Sequence, residues 1–465
     1  MKKIILFSLV LFGLLSIGGC SSSKNDYKIQ DGMIVFNEPA RAKGQQSVLR
    51  LAVDPIPVVR VGFVGLGMRG SEAVRRYTYL EGVEIAAICD KETANVEKVK
   101  TFLAEHNLPE PAVYTGEEGY KQLCEDADLD LVYICTDWEM HVPIALCAME
   151  HGHHAAVEVP AATSIEECWQ LVDMAERTQR HCMMLENCCY DFFEMATLNM
   201  AQKGLFGTLV HAEGAYIHDL RSLQFNQENG YVDMWRLKYN TDHTGNPYAT
   251  HGLGPVSQIL NIHRGDKMDY LVSVSSDQFG MTEYATQKFG KDSELAKTPY
   301  ALGDMNTTII RTHKGRTILI QHDITSPRPY NRHHLISGTK GFAQKYPVQS
   351  LAFEPNAHAA LSPEQLDSVL TLYEHPITKQ IGEIARKVGG HGGMDFIMDY
   401  RLIYCLHNGL PLDEDVYDAA EWSCIGELSE TSVRHKGMPV AIPDFTRGDW
   451  EKTDGFHHAM SLAHP

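Results

Sequence analysis

The chain has 465 residues, of which 44% are hydrophobic and 22% are charged, and its formal net charge at pH 7 is -19. This composition is typical of a folded globular protein and excludes a mainly disordered chain, while the length favours two domains over one. Because 60 acidic residues face 41 basic ones and no basic stripe stands out, nucleic acid is not an expected partner.

The first twenty residues are typical of an export signal. Two lysines precede an apolar run from Ile4 to Ile17, which is short for a bilayer span, and small residues then lead to Cys20. This arrangement resembles a bacterial lipoprotein processing site; an uncleaved membrane anchor is the alternative. We therefore expect a signal peptide over residues 1–20, a cell-envelope location with membrane contact only through a lipid on Cys20, and a tether and N-terminal arm over residues 21–57.

A glycine-rich loop opens the first predicted domain. An apolar run, Val58 to Val64, leads into Gly65, Gly67 and Gly70, and a helical stretch from Ser71 to Leu80 follows. In such a unit the first glycine permits a tight turn, the second lets the backbone approach a pyrophosphate, and the third lets the helix pack against its strand. The helix N-terminus then faces the phosphates. The pattern predicts a dinucleotide-binding Rossmann domain.

Asp90 indicates which dinucleotide is bound. It ends a second apolar strand, Val83 to Cys89, and lies twenty residues after Gly70. A carboxylate there can accept hydrogen bonds from the adenosine ribose, and it would repel the 2′-phosphate of NADP. We therefore expect NAD; a solvated carboxylate at a strand end is the alternative.

Strands and helices alternate as far as residue 187. Helices are predicted at 91–106, 117–125, 142–151 and 165–178, and strands at 129–135, 154–157 and 182–185. Ser164 and Glu167 have the spacing of a capping box. The alternation is typical of a doubly wound parallel sheet, and we assign it to an NAD-binding Rossmann domain over residues 58–187.

The pattern changes beyond Asn187. Strands are predicted at 210–216, 270–279, 306–313, 316–322 and 334–337, with helices at 194–203, 363–372, 376–387 and 394–407. Consecutive strands joined by short turns indicate an antiparallel sheet. The predicted fold is therefore α/β, with the Rossmann domain followed by a C-terminal substrate-binding α/β domain over residues 188–465, whose sheet is open and mainly antiparallel.

Polar and aromatic residues are concentrated just after the predicted strands, at 136–141, 158–160 and 186–190, where doubly wound sheets bind their ligands. These residues resemble the glucose-fructose oxidoreductase and inositol dehydrogenase superfamily. Its members usually carry Glu-Lys-Pro, with the lysine at the substrate hydroxyl that is oxidised. Here the triplet is Glu158-Val159-Pro160, so the lysine is missing.

A closer resemblance, to glycosyl hydrolase family 109, covers almost the whole chain after the signal. Members are bacterial NAD-dependent α-N-acetylgalactosaminidases. The resemblance rests on blocks at residues 65–70, 138–141, 158–159, 185–190, 216–221, 235–236, 248–255, 328–330 and 390–395.

The resemblance implies two sets of binding residues. Besides the three loop glycines, it places around NAD Met68, Arg69, Asp90, Trp138, His141, Glu158, Val159 and Asn187. It places around the sugar Tyr216, Arg236, Tyr248, Thr250, His251 and Tyr330.

The resemblance also implies a glycan substrate with terminal N-acetylgalactosamine, hydrolysed without the usual pair of carboxylates. Transient oxidation at C3 acidifies the C2 hydrogen, a base removes it, the aglycone leaves, and water adds back. Tyr190 and His251 are the leading catalytic candidates, since histidine titrates near neutral pH and tyrosine becomes a base where its pKa is lowered. Glu158 is a third candidate, or it orients the nicotinamide ribose.

Two other functions are compatible with the sequence: an exported NAD-dependent sugar or cyclitol oxidoreductase, and a nucleotide-holding binding protein without turnover. No metal site is predicted, because the glycines around His391 have no second set of ligands at a usable spacing. A homo-oligomer is compatible with this organisation. The missing lysine and the envelope address together indicate that NAD is a resident cofactor, regenerated in each turnover.

Overall fold

The computed structural model describes residues 27–126 and 128–461. Its strands form one sheet of six strands and one of ten. None of the helices in these ranges is both long and apolar enough to cross a membrane. The predicted signal peptide and Cys20 lie outside the described residues.

The N-terminal arm is packed onto the fold. Tyr27–Gln30 (β1) pairs antiparallel with Met33–Phe36 (β2), and β2 joins the ten-stranded sheet. Arg41 then forms ion pairs of 2.9 Å with both Glu176 and Asp449. Residues 27–57, expected to be a polar tether and arm, are therefore fixed to the body; their partners lie far away in sequence, so local composition does not reveal them.

The six-stranded sheet is the Rossmann sheet. Its strands are β3 (Val59–Val64), β4 (Val83–Asp90), β5 (Ala112–Thr115), β6 (Leu131–Ile134), β7 (His154–Val157) and β8 (Cys182–Met184). They are all parallel, in the order β5-β4-β3-β6-β7-β8, which confirms the predicted doubly wound sheet. The strand order reverses between β3 and β6, and ligands bind in the crevice that such a reversal opens.

Five helices connect these strands: α1 (Met68–Tyr77), α2 (Thr93–Glu105), α3 (Gly119–Asp126), α4 (Trp138–Glu150) and α5 (Ile165–Thr178). The capping box of Ser164 and Glu167 at the start of α5 is confirmed. Helix α4 begins earlier than predicted, because the Asp137 side chain accepts the Met140 N–H and caps its first turn. Strand β5 was not predicted; it is a short, largely exposed edge strand without an apolar run.

The ten-stranded sheet has the order β1-β2-β16-β10-β11-β12-β9-β13-β14-β15. Its remaining strands are β9 (Leu209–Ile217), β10 (Met268–Ser275), β11 (Asn306–Thr312), β12 (Thr317–Asp323), β13 (Asn331–Gly338), β14 (Gly341–Gln344), β15 (Ser350–Phe353) and β16 (Val440–Ala441). The pairs β12·β9 and β16·β2 are parallel and the others antiparallel, so the expected mainly antiparallel sheet is confirmed.

The helices of this half are α6 (Phe192–Gln202), α7 (Arg221–Gln224), α8 (Trp235–Asp242), α9 (Thr250–Leu260), α10 (Gly280–Phe289), α11 (Glu294–Lys297), α12 (Pro363–Leu372), α13 (Pro376–Val388), α14 (Met394–Asn408), α15 (Val416–Ser423) and α16 (Ile425–Arg434). Helix α14 packs against α1 and against the 3-10 helix Asn187–Tyr190 that follows β8. The carboxyl edge of the Rossmann sheet is thus covered by elements of the second half.

Candidate active site

The glycine loop has the geometry that a bound pyrophosphate requires. Gly65 has a φ of 86°, and a Cβ at Gly70 would lie 1.8 Å from the Gly65 carbonyl oxygen. A Cβ at Gly67, by contrast, would meet no atom within 4 Å. Gly65 and Gly70 therefore shape the turn and the strand–helix contact, while Gly67 leaves open space at the N-terminus of α1, where a phosphate is favoured.

Asp90 is fixed beside this loop. Its Oδ2 accepts the Leu66 N–H at 2.6 Å and its Oδ1 accepts the Glu92 N–H at 2.7 Å. The carboxylate is therefore held at the end of β4, next to the loop, in the position expected for a ribose ligand. Its contact with the ribose stays a prediction.

Arg69 binds Glu158 of the predicted NAD site and Asp395, which in turn binds Asn187 of that site. Its Nη2 lies 2.9 Å from Oε1 of Glu158, and its Nη1 lies 3.2 Å from Oδ2 of Asp395. Asp395 in turn accepts a 2.5 Å hydrogen bond from Nδ2 of Asn187. Although burial opposes the charge, Glu158 first and Asp395 second raise the pKa of Arg69 above its usual value. The guanidinium is therefore a permanent cation beside the nucleotide loop.

His141 shapes the segment that contains Val159. Its Nδ1 lies 2.8 Å from the Pro160 carbonyl oxygen and its Nε2 lies 3.2 Å from the Thr136 carbonyl oxygen. Burial lowers the pKa of His141 and outweighs the contacts with the two carbonyl oxygens, which raise it. We infer that His141 fixes the strand ends of β6 and β7 rather than exchanging protons.

An aromatic wall connects this edge to the second half. Trp138 stacks with Tyr248 at a ring distance of 5.8 Å, and Tyr248 lies 4.7 Å from the ring of Tyr216. The guanidinium of Arg236 lies over Tyr248 at 4.6 Å and over Trp138 at 5.1 Å. Three of the predicted sugar residues thus lie together, in contact with a predicted NAD residue.

Arg236 is buried with unused donors. Its Nη1 donates to the Tyr231 hydroxyl at 3.0 Å, but Nε and Nη2 have no acceptor among the described residues. Burying a donor without a partner costs free energy of about 1–3 kcal/mol. The two unused N–H groups therefore indicate that a ligand with acceptor oxygens completes this site.

His251 is the second residue of α9 and is paired with a buried carboxylate. Its Nδ1 lies 2.7 Å from Oε1 of Glu186, whose side chain has no exposed surface. Burial raises the pKa of Glu186, but the charge of His251 and its hydrogen bond outweigh this, so the pKa lies below its usual value. The carboxylate stays ionised and orients the imidazole.

Close backbone packing brings His251 to the aromatic wall. A Cβ at Gly214 in β9 would lie 2.2 Å from the Gly252 carbonyl oxygen, so the start of α9 rests directly on the strand. The His251 ring consequently lies 4.9 Å from the ring of Tyr248 and 5.4 Å from that of Tyr216. Thr250, the first residue of α9, is buried beside it.

Tyr330 lies at the outer side of the same cluster. It is 38% exposed, and its ring lies 5.0 Å from that of His218 and 6.5 Å from that of Tyr216. Burial raises the pKa of Tyr216 to about 12. These hydroxyls therefore stay protonated at neutral pH and serve as hydrogen-bonding groups.

Tyr190 does not join this cluster. Its side chain has no exposed surface, and its hydroxyl points to Oδ2 of Asp413, at 3.4 Å, which also binds Arg401. Burial raises the pKa of Tyr190 well above the usual value. In this structure Tyr190 is therefore a buried aromatic residue whose hydroxyl has a carboxylate partner, and its role as a base stays a prediction.

The sequence assigned no role to Glu186 or Asp395, although both lie within blocks shared with glycosyl hydrolase family 109. Each is a carboxylate whose partners come from distant segments, and a polar residue directly after β8 was the available signal for Glu186.

Glu186 also forms a group of metal-ligand type with Cys188 and His251, with ligand atoms within 4.8 Å of one another. Arg332 Nη1 lies 2.7 Å from Cys188 Sγ. The positive charge of the guanidinium disfavours a metal cation at this sulfur, so we assign His251 and Glu186 to proton transfer.

The comparisons with known proteins agree with this geometry. Residues 59–186 match the oxidoreductase family with an NAD-binding Rossmann fold, and residues 190–452 match the C-terminal domain of glycosyl hydrolase 109. The α-N-acetylgalactosaminidase of Bacteroides fragilis is 57% identical over 414 residues, which are 89% of this chain and 97% of the relative. A glycosyl hydrolase family 109 protein of Phocaeicola vulgatus is 56% identical over 408 residues, 87% of this chain and 99% of the relative.

Solved structures share the fold at low identity. Levoglucosan dehydrogenase in complex with NADH and L-sorbose has a TM-score of 0.61 and 17% identity, covering 83% of this chain and 100% of that one. Scyllo-inositol dehydrogenase of Lactobacillus casei with NAD(H) and scyllo-inositol has a TM-score of 0.58 and 12% identity, covering 83% and 99%. Residues 59–186 are thus an NAD-binding Rossmann domain, and the protein belongs to glycosyl hydrolase family 109.

Proposed function

We propose that the protein hydrolyses terminal α-N-acetylgalactosamine residues of glycans, with NAD regenerated in each turnover. The observation that carries the proposal is the His251–Glu186 pair, at 2.7 Å, where the carboxyl edge of the Rossmann sheet meets the aromatic wall. A proton-transfer group therefore lies between the predicted nucleotide and sugar residues. The 57% identity to an α-N-acetylgalactosaminidase supports the choice of sugar.

The chain holds residues that fit NAD. The open space at Gly67 and the N-terminus of α1 suit the pyrophosphate, and Asp90 suits the adenosine ribose. Arg69 and Glu158 form an ion pair at the sheet edge, and Asn187 joins them through Asp395; we assign all three to NAD. When bound, NAD supplies reversible hydride removal at C3 of the sugar.

His251 is the residue that we assign to proton transfer. Glu186 accepts the hydrogen of Nδ1, which leaves the lone pair on Nε2, the tautomer that a general base needs. That nitrogen suits removal of either the C3 hydroxyl proton or the C2 proton. Glu186 offsets the positive charge that the imidazole gains when it takes the proton.

Arg236 and the tyrosines are assigned to binding. The unused Nε and Nη2 of Arg236 can bind sugar hydroxyl or acetamido oxygens. Trp138 and Tyr248 stack on each other beneath the Arg236 guanidinium, so we assign them to holding this cation at the sugar site. Exclusion of water by this wall strengthens the polar contacts to the reacting sugar.

An oxidoreductase that releases NADH is less well supported. Members of the wider superfamily carry a lysine where this chain has Val159, and that side chain is buried and apolar. The alternative would therefore need another group for the hydroxyl proton and an exchange route for NADH.

The test is to incubate purified protein with nitrophenyl α-N-acetylgalactosaminide and no added nicotinamide. Release of nitrophenol over many turnovers supports the proposal. Failure to release it, together with NADH accumulation from free N-acetylgalactosamine or inositol and added NAD, would establish the oxidoreductase instead.

We also propose that Cys20 is lipidated and anchors the protein to the cell envelope. The support is the residue pattern before Cys20. Growth with a labelled fatty acid should label the wild type but not Cys20→Ala; equal labelling of the two proteins would contradict lipidation at Cys20.

A further inference from the structure

The segment Gly389–Asp395 comes from the C-terminal half and reaches into the nucleotide site. Gly389, Gly390, Gly392 and Gly393 all have positive φ angles, from 76° to 111°. They form a compact turn that leads straight into α14, whose second residue is Asp395. The turn brings the start of α14 against the first turn of α1.

Asp395 is buried and has several partners at once. Its side chain is 1% exposed, and its Oδ1 accepts from Asn187 Nδ2 at 2.5 Å. Its Oδ2 binds Arg69 Nη1 at 3.2 Å and lies 2.9 Å from His391 Nδ1. Arg76 Nη1 approaches the same oxygen at 3.6 Å. One carboxylate thus joins Arg69, which follows β3, to Asn187, which follows β8; β6 and β7 lie between these two strands in the sheet.

Two of these partners, Arg69 and Asn187, are residues assigned to NAD. Arg69 is held on its other side by Glu158, at 2.9 Å, which is also assigned to NAD. Asp395 is therefore a contact through which the C-terminal domain fixes the orientation of residues assigned to NAD. Asp395 is not needed to neutralise Arg76, because Asp399, one turn further along α14, already binds Arg76 Nε at 2.7 Å.

We infer that Asp395 is a positioning residue of the nucleotide site, which clasps NAD by locking the Arg69 guanidinium and the Asn187 carboxamide in place from the second half of the chain. Release of NAD then requires these contacts between the two halves to loosen. The clasp provides a means of keeping NAD bound between turnovers. It rests on the proposed function only in taking NAD as a resident cofactor.

The matched pair of variants is Asp395→Asn and Asp399→Asn. Both change a buried carboxylate of α14 to its amide next to Arg76, but Asp399 contacts Tyr133 and Arg76 and not the NAD residues. Each protein is loaded with NAD and diluted into NAD-free buffer, and retained NAD is measured over time after acid release. We expect D395N to lose NAD at least about tenfold faster than the wild type, as loss of one charge-assisted contact implies, and D399N to resemble the wild type.

Glycosidase activity is followed in parallel against added NAD. For D395N we expect half-maximal activity to need at least about tenfold more NAD, with kcat restored at saturation, which a general structural defect would not give. If D395N does not fold, His391→Ala serves instead, because His391 is 54% exposed and contacts Asp395; we expect it to lose NAD at least about threefold faster. The inference is overturned if D395N, or His391→Ala in its place, retains NAD as long as the wild type. It is also overturned if D399N loses NAD as fast as that variant. The retention assay needs no sugar, so its outcome is independent of the glycosidase assignment.

Discussion

His251 and Glu186 lie 65 residues apart in sequence, yet Nδ1 of the histidine is 2.7 Å from Oε1 of the glutamate. The contact exists because Gly254 leaves room for it: a Cβ there would lie 2.8 Å from Cγ of Glu186. The glutamate follows the last strand of the Rossmann sheet and the histidine begins α9 of the second half. The pair therefore joins the two halves at the point where we place the chemistry.

Substitution Glu186→Gln removes the charge that orients His251 and balances its protonation. We expect kcat to fall about 100-fold or more, as for loss of general acid–base catalysis, with a much smaller change in KM. Steady-state kinetics on nitrophenyl α-N-acetylgalactosaminide measure both.

The matched control is Glu430→Gln. His243 and Glu430 form a similar pair, 2.9 Å apart, but the histidine side chain is 43% exposed and the pair lies outside the site. This variant should keep wild-type kcat. Equal kinetics for E186Q and E430Q would remove His251–Glu186 from the mechanism.

Arg236→Met tests whether the buried guanidinium serves the ligand rather than the fold. Because Nε and Nη2 lack acceptors among the described residues, the charge is costly to bury, and its removal should change the free energy of unfolding by less than about 1 kcal/mol. Loss of hydrogen bonds to the sugar should lower kcat/KM at least about tenfold. Thermal unfolding and kinetics on the same sample decide this, and a large loss of stability with unchanged kcat/KM would contradict the assignment.

Two glycine variants separate folding from nucleotide binding. Gly67→Ala adds a methyl group that meets no protein atom within 4 Å, so the melting temperature of the NAD-free protein should stay unchanged while NAD binding weakens. Gly70→Ala places a Cβ 1.8 Å from the Gly65 carbonyl oxygen. It should therefore lower both the melting temperature and the affinity for NAD. Isothermal titration with NAD and thermal melting give the two readouts. Full NAD affinity in G67A would place the pyrophosphate elsewhere.

The nucleotide half could be predicted from sequence because its signals are local. The glycine spacing, Asp90 at the end of β4 and the Ser164–Glu167 capping box depend on neighbours within a few residues or within one strand–helix unit. The edge strand Ala112–Thr115 escaped prediction because it is too short and exposed to carry an apolar pattern.

The site as a whole could not be predicted in the same way. Asp395 contacts Asn187 across 208 residues, and no periodicity reports such a contact. Tyr190 shows the same limit: its place three residues after Asn187 suggests a site residue, but the 3-10 helix turns its side chain toward Asp413. Which face of a short turn meets the pocket depends on tertiary packing.

His322 gives a pH-dependent prediction. It stacks near Tyr216 at 6.2 Å, and its ring nitrogens lack partners among the described residues. Burial lowers its pKa from 6.5 to about 3. Below pH 6.5 His322 therefore binds a proton in the unfolded chain but not in the folded protein. The contribution of this residue lowers the free energy of unfolding by about 1.4 kcal/mol for each pH unit.

Substitution His322→Phe removes that proton uptake. The stability of the variant relative to the wild type should rise as the pH falls from 6.5 to about 4. Urea unfolding of both proteins at pH 7, 6 and 5 measures the difference. A difference that stays constant across this range would show that His322 is protonated in the folded protein.

In the proposed reaction, hydrolysis proceeds through loss and return of the C2 proton next to a transiently oxidised C3. The direct measurement is turnover of nitrophenyl α-N-acetylgalactosaminide in D2O without added nicotinamide, followed by NMR of the released sugar. We expect deuterium at C2 of the product in every turnover. Complete hydrolysis with hydrogen retained at C2 would contradict it, because the glycosidic bond would then have been cleaved without elimination.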